Sequence, residues 1–473
     1  MPVPALQHRF ADRLPELAVP WQARPAPAPT LAALNAPLAA ELGLDPAWLA
    51  TDAGLAFLTG TEPGPGARPV AQAYAGHQFG SYSPLLGDGR ALLLGELTAP
   101  DGTLHDVHLK GSGLTPFSRE GSDGLAALGP MLRELVVSEA LHALGIPTTR
   151  ALAVVATGGP VRRQRVLPGA VLVRVADSHL RVGTFQHAAA LVHAGRAPED
   201  LLTRLVAESL ERHHPGHADD AAPALALLRA VVAAQAELVA RWMLVGFVHG
   251  VMNTDNMTVS GQSIDFGPCA FLDGFDPDAV FSSIDRGGRY AYGAQPRIAL
   301  WNLNRFAEAL LPLLAPDPEA AVAAAEEALG GFAPAFDAAW QGGLAAKLGL
   351  ARSADSDALA AELLRLLAQD RADWTASWAN LSGLPLPADW LARWRALDPD
   401  PELARAANPL RVPRNRPLQA ALDAAEDGDL ADVERVLAAV REPFTPRADA
   451  SDLDVPPAPG AGGEAPFVTF CGT

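Results

Sequence analysis

Residues 249–268 read HGVMNTDNMTVSGQSIDFGP, and the rest of the chain is understood outward from them. The run is rich in Asn, Asp and Gly, which marks loops, here set around a short hairpin. Asn256 offers an amide oxygen and Asp265 a carboxylate, both at loop edges. Hard oxygens of this kind suit magnesium or manganese. A second carboxylate, Asp255, stands beside Asn256. Upstream lies ALALLRAVVAAQAELVARWMLVGF, residues 224–247, whose periodicity predicts a long buried helix.

Protein kinases use H-R-D-x-x-x-x-N and then D-F-G to place a base and two metal ligands. Here Asn256 follows His249 by seven residues, which is that spacing, and Asp265-Phe266-Gly267 follows after a short strand pair. The kinase base belongs two residues after the histidine, where this chain has Val251. Valine cannot accept a proton. Two readings stay open: a dead kinase, or a chemistry rearranged around Asp255.

Farther upstream, Lys110 ends the alternating stretch DVHLK, residues 106–110. In a kinase such a lysine holds ATP phosphates and pairs with a glutamate on the next helix, where both Glu134 and Glu139 are candidates. Alone, a lysine at a strand end is commonly solvated surface. Two glycine-rich runs flank this strand. Residues 80–96 contain Gly80, Gly87 and Gly89 with Arg90, and residues 110–124 contain Gly111, Gly113, Gly121 and Gly124 with Arg119. Glycine lets backbone N–H groups approach phosphates, although neither run matches a standard phosphate loop. Arg174 and Arg181 flank ADSHL, and guanidinium forks suit phosphate oxygens.

The pattern predicts four regions. Residues 1–65 form an arm laid over the body. Residues 66–185 form a small lobe whose strands are ALLLGEL, DVHLK, ALAVVA and AVLVRVA, with one helix near 129–144. Residues 186–441 are helical around the 249–268 loops, and residues 442–473 are a flexible tail ending near Cys471. The expected fold class is α+β: a bilobal, protein-kinase-like arrangement with a β-rich N-lobe, a large helical C-lobe and terminal extensions.

The whole chain limits the function. Its 473 residues, about half apolar, suffice for a large core. A formal net charge of -18 repels phosphate backbones and anionic lipid, so neither nucleic acid nor membrane is expected as a partner. Two cysteines, Cys269 and Cys471, exclude a disulfide framework. The N-terminus lacks a secretory pattern, and Arg229, Glu237 and Arg241 interrupt the most apolar helix. A cytoplasmic protein acting as a monomer is expected.

Taken together, the motifs resemble the selenoprotein O family of protein adenylyltransferases. The matching stretches are AQAYAGHQFGSYSPLLGDGRALLLGE, HLKGSGLTPFSREGSDG, LRELVVSEALHALGIPTTRALAVV, VLVRVADSHLRVGTFQ, HGVMNTDNMTVSGQSIDFGPCAFLDGF and RGGRYAYGAQP, which run in family order from about residue 70 to 300. The resemblance implies a kinase fold that binds ATP in reverse, transfers AMP to Ser, Thr or Tyr hydroxyls of other proteins, and releases pyrophosphate. It implies Asp255 as proton acceptor, and Asn256 and Asp265 as ligands of magnesium or manganese. It further implies nucleotide contacts from Gly87, Gly89, Arg90, Lys110, Asp123, Gly124, Arg174, Arg181 and Asp265. Glu134 becomes the partner of Lys110, and Glu139 a bystander. The chain departs from the family in the loop EGSDG after Arg119, one residue longer than usual, and in Leu125, where many members have arginine. Family members also suggest a regulatory disulfide, for which Cys269 and Cys471 are the candidates. Rival readings are an atypical kinase, a UMP transferase using UTP, and a non-catalytic ATP-binding scaffold.

Overall fold

A computed structural model describes residues 3–454 and 467–470. Its centre is one antiparallel sheet with the strand order Ala18–Pro20, Val70–Gln72, Ala91–Thr98, Leu104–Lys110, Val166–Ala176, Arg150–Arg162, Thr30–Leu34. The short strand Ala126–Ala127 pairs with Val166–Ala176 off this path. The four expected strands are all present, and both edges come from the first 65 residues.

The central strands are buried along nearly their whole length because both faces of the sheet are covered. Alternate residues go to different cores, as a pleat requires. Leu92, Leu94, Val155 and Val173 face the N-terminal segment with Leu38, Leu49 and Phe57. Leu93, Val154 and Leu172 face the other way, against Leu132, Leu135 and Val136 of the helix Leu128–Ala143. Each fully buried leucine or valine contributes roughly 1.5–3 kcal/mol. Gly95 is needed where the N-terminal backbone crosses the sheet. Its φ is +147°, and a Cβ there would lie 2.6 Å from the Gln7 carbonyl oxygen.

The remainder is helical, and sheet and helices are segregated, which makes the fold α+β. The helix Pro223–Leu244 packs against Gln295–Leu314 and Phe332–Lys347. Among the described residues it alone is long and apolar enough to cross a membrane, and most of it is buried inside the protein. The helices Asn415–Glu426 and Ala431–Val440 return to cover Leu128–Ala143.

The 249–268 segment differs from expectation in one respect. No strand pair forms between Asn256 and Asp265. The polar groups there bond outward instead: Val259 N donates to Leu180 O at 3.0 Å, Ser263 N to Pro147 O at 3.0 Å, and Gln235 Nε2 to Thr258 O at 2.7 Å. The two-stranded ladder lies outside the loop, pairing Phe247–Val248 with Ala270–Phe271. These short strands hold the ends of the segment together.

Part of the tail is fastened to the body. Arg411 is fully buried; its Nε donates to Asp454 at 2.6 Å and its Nη1 to the carbonyls of Glu442 and Thr445. Thr469 N donates to Phe281 O at 2.8 Å, and its Oγ1 to Pro268 O at 2.6 Å. The link suggested between Cys269 and Cys471 involves a residue outside those described.

Candidate active site

A cleft of about 400 Å³ opens beside the sheet, between it and the 249–268 loop. The strand Leu104–Lys110 brings Lys110 to its wall, Val166–Ala176 brings Arg174, and Arg181 stands at the N-terminal end of the helix Val182–His193. All three cations converge on Asp265. Lys110 Nζ and Arg174 Nη2 lie 2.7 Å from its Oδ1, and Arg181 Nη1 lies 3.0 Å from its Oδ2. Lys110 also bonds Glu134, and Arg174 lies 3.5 Å from the other oxygen of that carboxylate. Glu139 points elsewhere, pairing with Arg150 at 2.8 Å and Arg441 at 3.1 Å.

Asp265 is held in a left-handed backbone conformation with φ of +64°, uncommon outside glycine and concentrated at functional sites. Burial would raise its carboxyl pKa, but Arg174, Lys110 and Arg181 outweigh burial and hold it well below the usual carboxylate range. Asp255 is the opposite case. Burial pushes its carboxyl up to about 6, against the hydrogen bond from Gln78. Its Oδ2 accepts from Gln78 Nε2 at 3.2 Å, whereas Oδ1 is buried and has no partner.

Asn256 Nδ2 donates to Val251 O at 2.9 Å, which orients the amide and leaves Oδ1 as the acceptor. Among the described residues no three His, Cys, Asp or Glu side chains form a metal-binding group. The donors that remain are Asn256 Oδ1 and the ionised Asp265. This all-oxygen set fits magnesium or manganese when substrate phosphates complete the shell.

Gly87, Gly89, Arg90, Lys110, Glu134, Arg174, Arg181, Asp255, Asn256 and Asp265 all line the cleft. Asp123 and Gly124 do not. Asp123 is drawn to Arg163 at 2.8 Å, and the Gly124 carbonyl accepts from Gly113 N at 3.0 Å. Arg163 and Leu125 reach the lining in their place. The glycines act differently from the sequence reading. Gly87 N donates to Tyr74 O and Gly89 N to Gly87 O, so neither N–H is free for a phosphate. Glycine there makes room for Phe117, whose Cγ would lie 2.4 Å from a Cβ on Gly87. Cys269 is fully buried and its thiol is pushed up by burial to about 12, so it is a poor nucleophile.

Sequence reading missed the clamp on the Asp255 loop. His77 N donates to Thr254 Oγ1 at 2.7 Å, Gln78 Nε2 to Asp255, and Phe79 N to Asn253 Oδ1 at 3.2 Å. Tyr290 OH also donates to Asn253 Oδ1, at 2.6 Å. The one available signal was the polar run AGHQFGS inside an otherwise turn-like stretch.

The model of the family described as protein adenylyltransferase SelO matches residues 5–391. The chain is 56% identical to a protein nucleotidyltransferase YdiU of Mycolicibacterium smegmatis, covering 99% of this chain and 98% of that protein. It is 55% identical to the Pseudarthrobacter chlorophenolicus protein of that name, over 99% and 98% of the two chains. For the Cereibacter sphaeroides protein the identity is 53%, over 98% of each. The chain belongs to the SelO family and is a nucleotidyltransferase.

Proposed function

We propose that this member of the SelO family transfers AMP from ATP to Ser, Thr or Tyr hydroxyls of other proteins, in a kinase-like bilobal cleft that holds ATP in reverse. One observation carries the reading: the kinase base position is the apolar Val251, while the Asp255 carboxyl, beside Asn256, lines the same cleft. The relatives are named protein nucleotidyltransferases, which points the same way.

The chain's own residues supply most of the chemistry. Lys110, Arg174 and Arg181 exchange part of their contact with Asp265 for substrate phosphate oxygens, and Arg guanidinium forks fit those oxygens well. Glu134 keeps Lys110 in place during that exchange. Asp255 takes the proton of the acceptor hydroxyl. The oxygen then bonds to the α-phosphorus, the α–β phosphoanhydride bond breaks, and pyrophosphate leaves with the bond's electron pair. A carboxyl raised to about 6 is a better base than an ordinary one and is still largely ionised at neutral pH. Asn256 and Asp265 would hold magnesium or manganese, which supplies charge neutralisation at the phosphates when bound. We place the reaction in the cytoplasm, with a monomer as the working unit.

The test is incubation with manganese and either α-³²P-ATP or γ-³²P-ATP, alone and with cell extract. The expected result is protein label from the α position only, slowed by about a hundredfold or more in Asp255→Ala and Lys110→Ala. Label from the γ position only would show an atypical kinase, and no label from either would leave a nucleotide-binding scaffold.

A further inference from the structure

Gln78 stands between the proposed base and the rim of the cleft. It ends the strand Gly76–Gln78, which pairs with Ser81–Ser83 in a hairpin lying on the Asp255 loop. Three consecutive hairpin residues grip three consecutive loop residues: His77 on Thr254, Gln78 on Asp255, Phe79 on Asn253. Phe79 and Gly80 form the hairpin's two-residue turn, with φ of +51° and +85°, so the tight turn sets the Phe79 N–H against the loop.

Within this clamp Gln78 alone touches the Asp255 carboxylate through a side chain. Its two amide ends are chemically distinct, and the structure fixes which end goes where. Arg119 Nη2 donates to Gln78 Oε1 at 2.9 Å, so the carbonyl end faces the guanidinium and the NH2 end faces Asp255. A flipped amide would set a carbonyl against a carboxylate and an NH2 group against a cation, two repulsions instead of two attractions. Gly76 completes the arrangement from the other side. A Cβ there would lie 2.6 Å from Asp255 Oδ1, so glycine leaves that oxygen room.

We propose that Gln78, oriented by Arg119, is a positioning residue that fixes the orientation of the Asp255 carboxylate in the cleft by holding its Oδ2. The proposal rests on Asp255 being the base of the transfer reaction. Gln78 touches the base and not the phosphate-binding cations, so its effect falls on the rate of transfer and not on ATP binding. It acts through one carboxylate, so its effect vanishes when that carboxylate is absent.

The experiment measures single-turnover labelling rates across ATP concentrations for the wild type, Gln78→Met, Arg119→Met, Asp255→Ala and the double variant Gln78→Met/Asp255→Ala. Methionine keeps the length of glutamine and removes the donor. The expected result is a fall in maximal rate of about tenfold for Gln78→Met, in line with a lost orienting contact. Half-saturation by ATP should stay within about twofold, and Gln78→Met should have no further effect in the Asp255→Ala background. Arg119→Met should show the same pattern more weakly. An unchanged maximal rate, a loss explained by weaker ATP saturation, or an equal loss in the Asp255→Ala background would each overturn the proposal. Label identity is read separately: γ-label would overturn AMP transfer, while the variant-to-wild-type ratio would still judge Gln78.

Discussion

The cleft and the C-terminal helical block each bury a lysine, and they do so in opposite ways. Lys110 lies between Glu134 and Asp265, with Arg174 and Arg181 sharing the same carboxylate. Lys347 is 3% exposed, and among the described residues its Nζ meets only the Ala407 carbonyl at 3.4 Å and the Trp378 ring at 5.2 Å. Burial pushes Lys347 down to about 7, with no carboxylate among the described residues to oppose it. A buried charge with anionic partners can exchange them for a ligand's phosphates. A buried amine without them contributes packing and carries a desolvation cost. The cleft is therefore arranged for ligand exchange, and the helical block for shape.

The comparison can be broken most forcefully at Asp265. Asp265→Asn removes the charge on which three cations converge, and transfer should fall by about a thousandfold or more. Single-turnover labelling measures this, and a loss under tenfold would mean that the cluster is structural. Asp255→Asn should lower the transfer rate by about a hundredfold or more while ATP binding, measured by calorimetry, persists. A pH series sharpens the point. Burial puts the Asp255 carboxyl at about 6, and the base must be ionised, so kcat/KM should rise with pH through about 6 and level off above it. Asp255→Asn should lack that rise.

At the other pole, Lys347→Met should stabilise the fold at neutral pH by on the order of 1–3 kcal/mol. The sign follows from linkage. The folded pKa of about 7 lies below the ordinary lysine value of 10.5, so the unfolded chain binds the extra proton between them. The penalty is complete below about 7 and fades as pH rises toward 10.5, so wild-type stability gains with pH across that window. Denaturant unfolding at several pH values should show the gain in the wild type and not in the variant. The smallest effect belongs to the surface. The Arg405–Glu402 pair is 60% and 76% exposed, and Arg405→Ala should change stability by less than about 0.5 kcal/mol.

What could be read from the sequence was whatever is written in local spacing. The strands at 91–98, 104–110, 150–162 and 166–176 announced themselves as short apolar runs between turns. Lys110, Asn256 and Asp265 stood out because fixed offsets tie them to strand ends and loops. The choice between Glu134 and Glu139 was not available from the residues alone, because their helix is buried on nearly all sides and both carboxylates are inside. Only tertiary pairing with Lys110 or with Arg150 separates them. Gln78 and Asn253 were invisible for a related reason: an amide that clamps a loop about 175 positions away leaves no periodic trace. The pairing of Asp123 with Arg163 was likewise invisible, because the two lie 40 positions apart. The apparent strand pair before Asp265 failed because Gln235, Pro147 and Leu180 satisfy the loop's polar groups first.

The most direct test of the central claim is a crystal structure of the protein with a non-hydrolysable ATP analogue and manganese. The account predicts the α-phosphorus nearest the Asp255 carboxyl, with the β- and γ-phosphates directed toward the cation side of the cleft. A γ-phosphorus beside Asp255, with the α-phosphate held farthest away, would contradict it.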